Sequence, residues 1–410
     1  MAKISKCSVC GKSESEVKVL MECPGSIRIC DTCIEQMHRI IINDGNADGT
    51  NCDTSDMKPS EIKKHLDEYV IGQEEAKIAI SVAVYNHYKR LRNNQSNSEN
   101  VEIQKSNILM LGPTGSGKTY LAQTLARTLN VPFAIADSTS LTEAGYVGDD
   151  VESILSRLLQ NADGDPKRAE MGIVYIDEID KIARMSSEGS ARHDVSREGV
   201  QQALLKILEG TEAQVPVSVS KRNINIKTVT LNTKNILFIC GGAFDGLEEL
   251  INEKKSSIGF MQKAEETEEK NYQDVTVSDL VKYGMMPEFI GRLPIITILK
   301  PLGKEALIDI MKKPKNSIIK QYEALMRMDG VDLKFEESAL NNIAEKALER
   351  KSGARGLRSI IEKTMQNVMF SVPDRKDAKM VVIKAGVDGG DNTAEVYDSE
   401  NVNITEEEGG

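Results

Sequence analysis

The sequence predicts an α/β fold: a parallel sheet flanked by helices, a smaller helical region after it, and a separate small module before it. Three observations carry this. Strand-sized apolar runs (Val131–Ala136, Ile173–Ile176, Ile236–Cys240) alternate with helical patterns near residues 151–160 and 200–208, as parallel sheets require. A glycine-rich loop joins the apolar run Asn107–Leu111 to a helical pattern over Tyr120–Leu129. Two closely spaced cysteine pairs occupy the first 33 residues. At 410 residues the chain exceeds what one hydrophobic core serves, so about two to three domains are expected.

Composition narrows the function classes. Hydrophobic residues at 40% and charged residues at 28% are the balance of a soluble globular protein. No apolar run approaches the roughly 20 residues of a membrane helix, and Met1-Ala2-Lys3 opens no signal-peptide pattern. The expectation is a cytoplasmic protein without membrane partners. Lys+Arg 52 against Asp+Glu 63 leaves a net charge of −11, which disfavours a global electrostatic grip on nucleic acid. With no Trp and 4% aromatics, little material for base stacking exists either.

The first module reads as a metal knuckle. Cys7-x-x-Cys10 and Cys30-x-x-Cys33 are separated by nineteen residues. A two-residue gap lets both thiolates of a pair face one tetrahedral ion, and the second pair completes a closed four-sulfur zinc site. Some forty residues hold too small a core to fold unaided, so the metal would supply folding free energy. The alternatives are two disulfides or a redox Cys-x-x-Cys. Cys23, Cys52 and Cys240 have no partner spacing. Residues 1–40 carry six Lys/Arg against five Asp/Glu, so the module has no basic face. Ile34, Met37, Ile40 and Ile41 stand at helical spacing, suited to packing on the knuckle or on a second copy. A protein-binding module over residues 1–42 follows, with a flexible polar linker over 43–59.

The next segment carries nucleotide chemistry. Pro59-Ser60 opens a helix, Gly72 breaks the chain within Val70-Ile71-Gly72-Gln73, and Glu74–Arg92 forms a second helix. The glycine-rich loop is Gly112-Pro113-Thr114-Gly115-Ser116-Gly117-Lys118-Thr119, followed by Tyr120. Strand, loop and helix in this order are the context of a P-loop. Its backbone N–H groups and the helix N-terminus cradle phosphates, Lys118 reaches the β- and γ-phosphates, and Thr119 ligates Mg²⁺. Ile173–Ile176 ends in Asp177-Glu178. Alone, two acids at a strand end read as solvated turn residues. Beside a P-loop, Asp177 holds magnesium and Glu178 orients the attacking water. ATP, Mg²⁺ and Zn²⁺ are the expected cofactors.

These motifs together resemble the AAA+ ATPases, and within them the unfoldase subunits of the Clp protease, from the cysteine module to about Ala385. The resemblance implies a P-loop AAA+ parallel-sheet domain over 60–300, a small α-helical (α+β) C-terminal domain over 301–385, and the N-terminal zinc-binding module. It implies a homohexamer with nucleotide between the two larger domains, and Val70-Ile71-Gly72-Gln73 beside adenine. Arg292, in Pro287-Glu288-Phe289-Ile290-Gly291-Arg292, matches the arginine finger that completes a neighbour's site; the alternative is an i,i+4 pair with Glu288. Arg355, in Gly353-Ala354-Arg355-Gly356-Leu357-Arg358, matches the sensor that touches phosphates; the alternative is a helix-start arginine on a solvated face.

The same resemblance assigns the mechanical parts. Gly145-Tyr146-Val147-Gly148 matches the pore loop, an apolar paddle that grips any polypeptide by shape and dispersion; taken alone it is a turn tip. Residues 190–196 match a second pore loop. Ser257-Ile258-Gly259-Phe260 matches the tripeptide that docks into clefts of ClpP, a separate ring peptidase; taken alone it is a short core anchor. Lys221-Arg222-Asn223 stands where the family carries Arg-Lys-His at the pore entrance, and the histidine is absent; the alternative is a solvated hairpin tip. The chain has no HExxH or G-x-S-x-G signature, so a partner would supply proteolysis. The implied activity is ATP-dependent unfolding and threading of unfolded or tagged proteins into that peptidase, with chaperone activity alone and adaptors on the zinc module. The rival reading is a P-loop motor or clamp loader on nucleic acid, and a third is a non-hydrolysing adaptor.

The small domain shows helical periodicity over Leu302–Met326, interrupted at Pro314, then over Ser338–Leu348 and Leu357–Phe370, with a strand at Met380–Lys384. From Val387 onward there are eight acids and no Lys or Arg, so residues 386–410 are expected to be a disordered tail.

Overall fold

The computed structural model describes residues 6–13, 17, 19–23, 27–34, 57–96, 103–142, 149–184, 191–217, 227–251, 275–386, 390–400 and 402–405. Tyr146, Val147, Lys221, Arg222, Ile258, Gly259 and Phe260 lie outside them, as do Met37, Ile40, Ile41 and Cys52. The chain forms two compact units, Met1–Asp53 and Thr54–Gly410.

The described residues of the first unit include a hairpin, β1 (Leu20–Cys23) paired antiparallel with β2 (Ile27–Cys30). Its core is Cys7, Cys30 and Cys33 with Val17, Leu20 and Ile29 against them. Among the described residues, three cysteines and three aliphatic residues are too little to hold a fold by burial alone.

The second unit opens with helices α1 (Pro59–Asp67) and α2 (Glu74–Ser96). Its central sheet has five parallel strands: β3 (Ile108–Leu111), β4 (Phe133–Asp137), β7 (Ile173–Asp177), β10 (Leu237–Gly242) and β11 (Ile295–Ile298), ordered β11-β3-β10-β7-β4. The short strands β5 (Leu141–Thr142) and β6 (Asp149–Asp150) form a separate pair. β3 and β10 are buried along their whole length, the expectation for strands covered on both faces. Helices α3 (Lys118–Thr128), α4 (Glu152–Asn161), α5 (Pro166–Glu170) and α6 (Ala191–Glu209) intervene. Leu155, Leu158, Phe238 and Leu293 belong to the core they share with the sheet. The segment between α6 and β10 forms an antiparallel hairpin, β8 (Glu212–Val217) with β9 (Lys227–Asn232), whose tip is outside the described residues. Helices α7 (Val277–Tyr283) and α8 (Pro287–Gly291) lead into β11.

A second core, including Leu307, Met326, Leu340, Ile361 and Val381, builds the smaller lobe. It comprises α9 (Lys304–Lys312), α10 (Ile318–Met328), β12 (Asp332–Phe335), α11 (Glu337–Glu349), α12 (Gly353–Ser371), β13 (Met380–Lys384) and β14 (Thr393–Tyr397). β13 pairs parallel with β12 and antiparallel with β14.

For residues 390–400 and 402–405, strand β14 and the contacts around it replace the disorder expected of the acidic tail. Val396 is buried in the small-lobe core, and Asp391 pairs with Lys346 at 2.9 Å and Lys363 at 2.8 Å. The segment itself carries no Lys or Arg, but two lysines from elsewhere in the chain, Lys346 on α11 and Lys363 on α12, compensate Asp391. Ala394 and Val396 alternate along β14, and Ile404, whose amide donates to the Val396 carbonyl at 2.8 Å, adds to the apolar side.

Candidate functional site

The phosphate loop runs from the buried end of β3 to the first turn of α3. Gly115 and Gly117 have φ of +79° and +98°, the left-handed region that favours glycine. At Gly115 a Cβ would also fall 2.7 Å from the Ser352 carbonyl oxygen. This closeness exists because the start of α12 rests on the loop, with the Ala354 amide donating to the Gly115 carbonyl at 3.3 Å.

The end of β7 is braced from several sides. The Thr119 hydroxyl donates to Asp177 Oδ2 at 2.7 Å. The Tyr175 hydroxyl, at 3.1 Å, and the Glu178 amide, at 3.0 Å, donate to Oδ1. Burial first, then the Asp177 charge, push the Tyr175 phenol above its ordinary range and keep it a donor. Glu178 itself sits at φ +55°, a conformation costly for a residue with a Cβ. Ser138 stabilises it by donating to the Glu178 carbonyl at 2.6 Å.

Lys118 lies against its own loop, 2.6 Å from the Gly112 carbonyl and 3.1 Å from that of Pro113. Burial lowers its pKa, while Asp177, Asp180 and Asp245 raise it. An ammonium desolvated in this way gains most from a phosphate anion.

These residues line a cleft of about 510 Å³, within the range of small-molecule sites. Its walls include Thr114–Tyr120, Asp177 and Glu178 on the sheet side, and Ala354 and Arg355 at the start of α12. Val70, Ile71, Leu302, Ile310, Ile318 and Leu357 supply an apolar end suited to a planar base. Of the residues expected to contact nucleotide, Gly72, Gln73, Gly112 and Pro113 do not line it. Gln73 instead holds the main chain of Lys300: its Nε2 donates to the Lys300 carbonyl and its Oε1 accepts the Lys300 amide, each at 2.8 Å. Gly112 and Pro113 act through the carbonyls that receive Lys118. Arg355 faces the cleft, not a solvated helix face.

Arg292 does not line the cleft. Its Nε and Nη2 donate to Glu209 Oε1 at 3.1 and 2.7 Å, so the expected alternative partner, Glu288, is not the one it takes. The Arg292 carbonyl accepts Asn107 Nδ2 at 2.9 Å.

Sequence reasoning missed Tyr175, Asp180 and the apolar walls from α9 and α10. Asp180 is buried, and its Oδ1 accepts the Ala243 amide at 3.2 Å. Its signal was present as the third acid of Asp177-Glu178-Ile179-Asp180. The apolar walls carry no local signal, because their residues look like ordinary helix faces.

In the first unit, Cys7, Cys10, Cys30 and Cys33 place their sulfurs within 4.8 Å of one another. Cys7 and Cys33 Sγ are 3.9 Å apart and Cys10 and Cys30 Sγ 3.6 Å, far beyond a bonded pair. Sulfurs bound at about 2.3 Å to one tetrahedral ion would stand roughly 3.8 Å apart. The Cys10 amide, first among several, draws the Cys7 thiol down to about 6, whereas burial, then the neighbouring sulfurs, push Cys33 up to about 12. Four crowded thiols cannot all ionise without a cation, so the donor set fits Zn²⁺, and the spacing of all four sulfurs around one point matches a shared ion better than two disulfides.

Three family descriptions match the chain. Residues 5–43 match the ClpX C4-type zinc finger, residues 103–296 the AAA domain (Cdc48 subfamily), and residues 302–381 the C-terminal, D2-small domain of ClpB protein. One relative, the ATP-dependent Clp protease ATP-binding subunit ClpX of Treponema denticola, is 51% identical over 383 residues, 92% of each chain. The cysteine cluster, the phosphate loop and the lobe that closes over it thus fall within the matched regions. The chain belongs to the ClpX family, as an ATP-binding AAA ATPase with a zinc finger of the ClpX type.

Proposed function

We propose that the protein is an ATP-driven unfoldase and translocase that works as a homohexamer, threading unfolded or tagged proteins through a central pore into a ClpP-like peptidase. It acts as a chaperone when that peptidase is absent. The observation that carries this reading is the contact of Ala354 with Gly115: the small lobe rests on the phosphate loop, so nucleotide occupancy and lobe angle are physically linked.

Within the site, Thr119 and Asp177 supply hard oxygen donors 2.7 Å apart, suited to Mg²⁺. The ion neutralises charge on the phosphates when bound. Lys118 and Arg355 bind phosphate oxygens, and Glu178 orients and polarises the attacking water. Arg292 completes the site of the adjacent subunit, a role supported by its exposure and its absence from its own cleft. The mechanical roles are Tyr146 and Val147 as the pore paddle, Lys221 and Arg222 as the entrance charges, and Ile258-Gly259-Phe260 as the peptidase anchor. The zinc module receives adaptors.

The test is the ATPase rate alone, with an unfolded protein, and with single-stranded DNA. Stimulation by the unfolded protein is expected. Stimulation by DNA alone would replace this reading with a nucleic-acid motor.

A further inference from the structure

The contact between Arg292 and Glu209 joins two elements with different tasks. Glu209 is the last residue of α6, a helix of 19 residues that spans about 28 Å. The other end of α6 begins at Ala191, inside the segment 190–196 that matches a pore loop. Arg292 follows the short helix α8, and its main chain is pinned by buried Asn107. The same Asn107 accepts the Phe238 amide through Oδ1 at 3.3 Å, tying the Arg292 backbone to the sheet. With the backbone held, the remaining freedom of Arg292 is in its side chain, and Glu209 restricts that freedom.

The geometry of the pair leaves the guanidinium available. Both Nε and Nη2 converge on one oxygen, Oε1, and Nη1 has no partner among the described residues. Both side chains are about half exposed, 52% and 44%, so the pair orients the arginine without trapping it. A phosphate carries more charge than one carboxylate and can engage the free edge while Glu209 holds the other.

We infer that Glu209 is a positioning residue for Arg292, and that α6 thereby links contact in the pore to presentation of the finger. The inference rests on the reading of Arg292 as a finger acting on the neighbouring subunit and of residues 190–196 as a pore loop. A polypeptide that displaces the start of α6 shifts Glu209 at its far end, because a packed helix moves as a rod. The arginine follows, and the neighbour's hydrolysis rate responds. This gives substrate stimulation of ATPase a physical route through one helix.

The test is a double-mutant cycle on the full-length protein with Glu209→Gln, Arg292→Ala and both, reading kcat and KM for ATP with and without an unfolded protein. Single-turnover hydrolysis covers the slow variants. Glu209→Gln is expected to lower kcat about 10-fold at nearly constant KM, and to lose most of the stimulation by unfolded protein. Glu209→Asp, which keeps the charge, should recover part of both. In the Arg292→Ala background Glu209→Gln should cost nothing further. Equal losses in both backgrounds would overturn the inference, since Glu209 would then act without Arg292. Retained stimulation in Glu209→Gln would overturn the link through α6. A normal kcat for Arg292→Ala alone would instead overturn the finger reading itself. Thermal melting and hexamer mass of each variant identify loss of folding or assembly, and a collapse confined to Glu209→Gln would make the residue structural and overturn the inference.

Discussion

The amide of Ala354 donates to the carbonyl of Gly115 across 3.3 Å, so the first turn of the small-lobe helix α12 sits directly on the phosphate loop. A side chain at Gly115 would meet Ser352 at 2.7 Å and require a φ of +79°. Gly115→Ala is therefore expected to push the lobe away from the loop and weaken ATP binding about 10-fold or more. Titration calorimetry with ATP checks this, and unchanged affinity would mean the lobe contact is incidental.

Glu178→Gln should leave ATP binding intact and slow hydrolysis by about 10²-fold or more, because the phosphate cradle survives while the polarising charge is lost. Lys118→Ala should weaken binding itself. Comparing nucleotide affinity with single-turnover hydrolysis separates the two, and near-normal turnover in Glu178→Gln would remove its assigned role.

Arg292→Ala subunits mixed with Glu178→Gln subunits should recover part of the ATPase that each lacks alone, since each can complete a site across an interface. Mixed rings are verified by mass. Verified rings with no recovery at any ratio would exclude a finger acting on a neighbour.

Zinc removal, or Cys30→Ser, should unfold the first unit and leave basal ATPase close to normal, because the cleft draws only on residues of the second unit. Circular dichroism and zinc release assays follow the first effect. Loss of basal ATPase in parallel would show that the two units are energetically coupled.

Truncation after Ala385 should destabilise the small lobe, since it removes β14 and leaves β13 as an open edge. Burial of Val396 alone contributes about 1.5 kcal/mol. Lys363 and then Lys346 hold the Asp391 carboxyl down to about 2. A depressed carboxyl stabilises the folded state above its ordinary value near 4, and that contribution disappears as pH falls from about 4 to 2. Asp391→Asn should flatten this part of the acid-unfolding curve, most visibly at low salt. An identical melting temperature for the truncated chain would show that β14 adds no stability.

The elements legible in the sequence are those whose chemistry depends on spacing along the chain. The phosphate loop is one contiguous glycine-rich segment between a strand and a helix, and the cysteine pairs carry their gap in the covalent chain. Asp177 and Glu178 are adjacent at a strand end, and it is the phosphate loop elsewhere in the same sequence that turns this ambiguous pair into the proposed magnesium and water ligands. The helices of the small lobe are read from periodicity for the same reason. Tertiary structure decided the pairings between distant segments. Gln73 finds Lys300 across 227 positions, Arg292 finds Glu209 across 83, and Asp180 finds Ala243 across 63. None of these follows from local pattern, because a charged or amide side chain on a solvated face looks the same whether or not folding brings it a partner. The acidic tail shows the same limit in reverse: its charge run signals disorder until lysines on α11 and α12 neutralise Asp391 and the edge of β13 offers main-chain hydrogen bonds. Sequence spacing thus determines which groups can do chemistry, whereas packing of the sheet, the small lobe and α6 decides which of them meet.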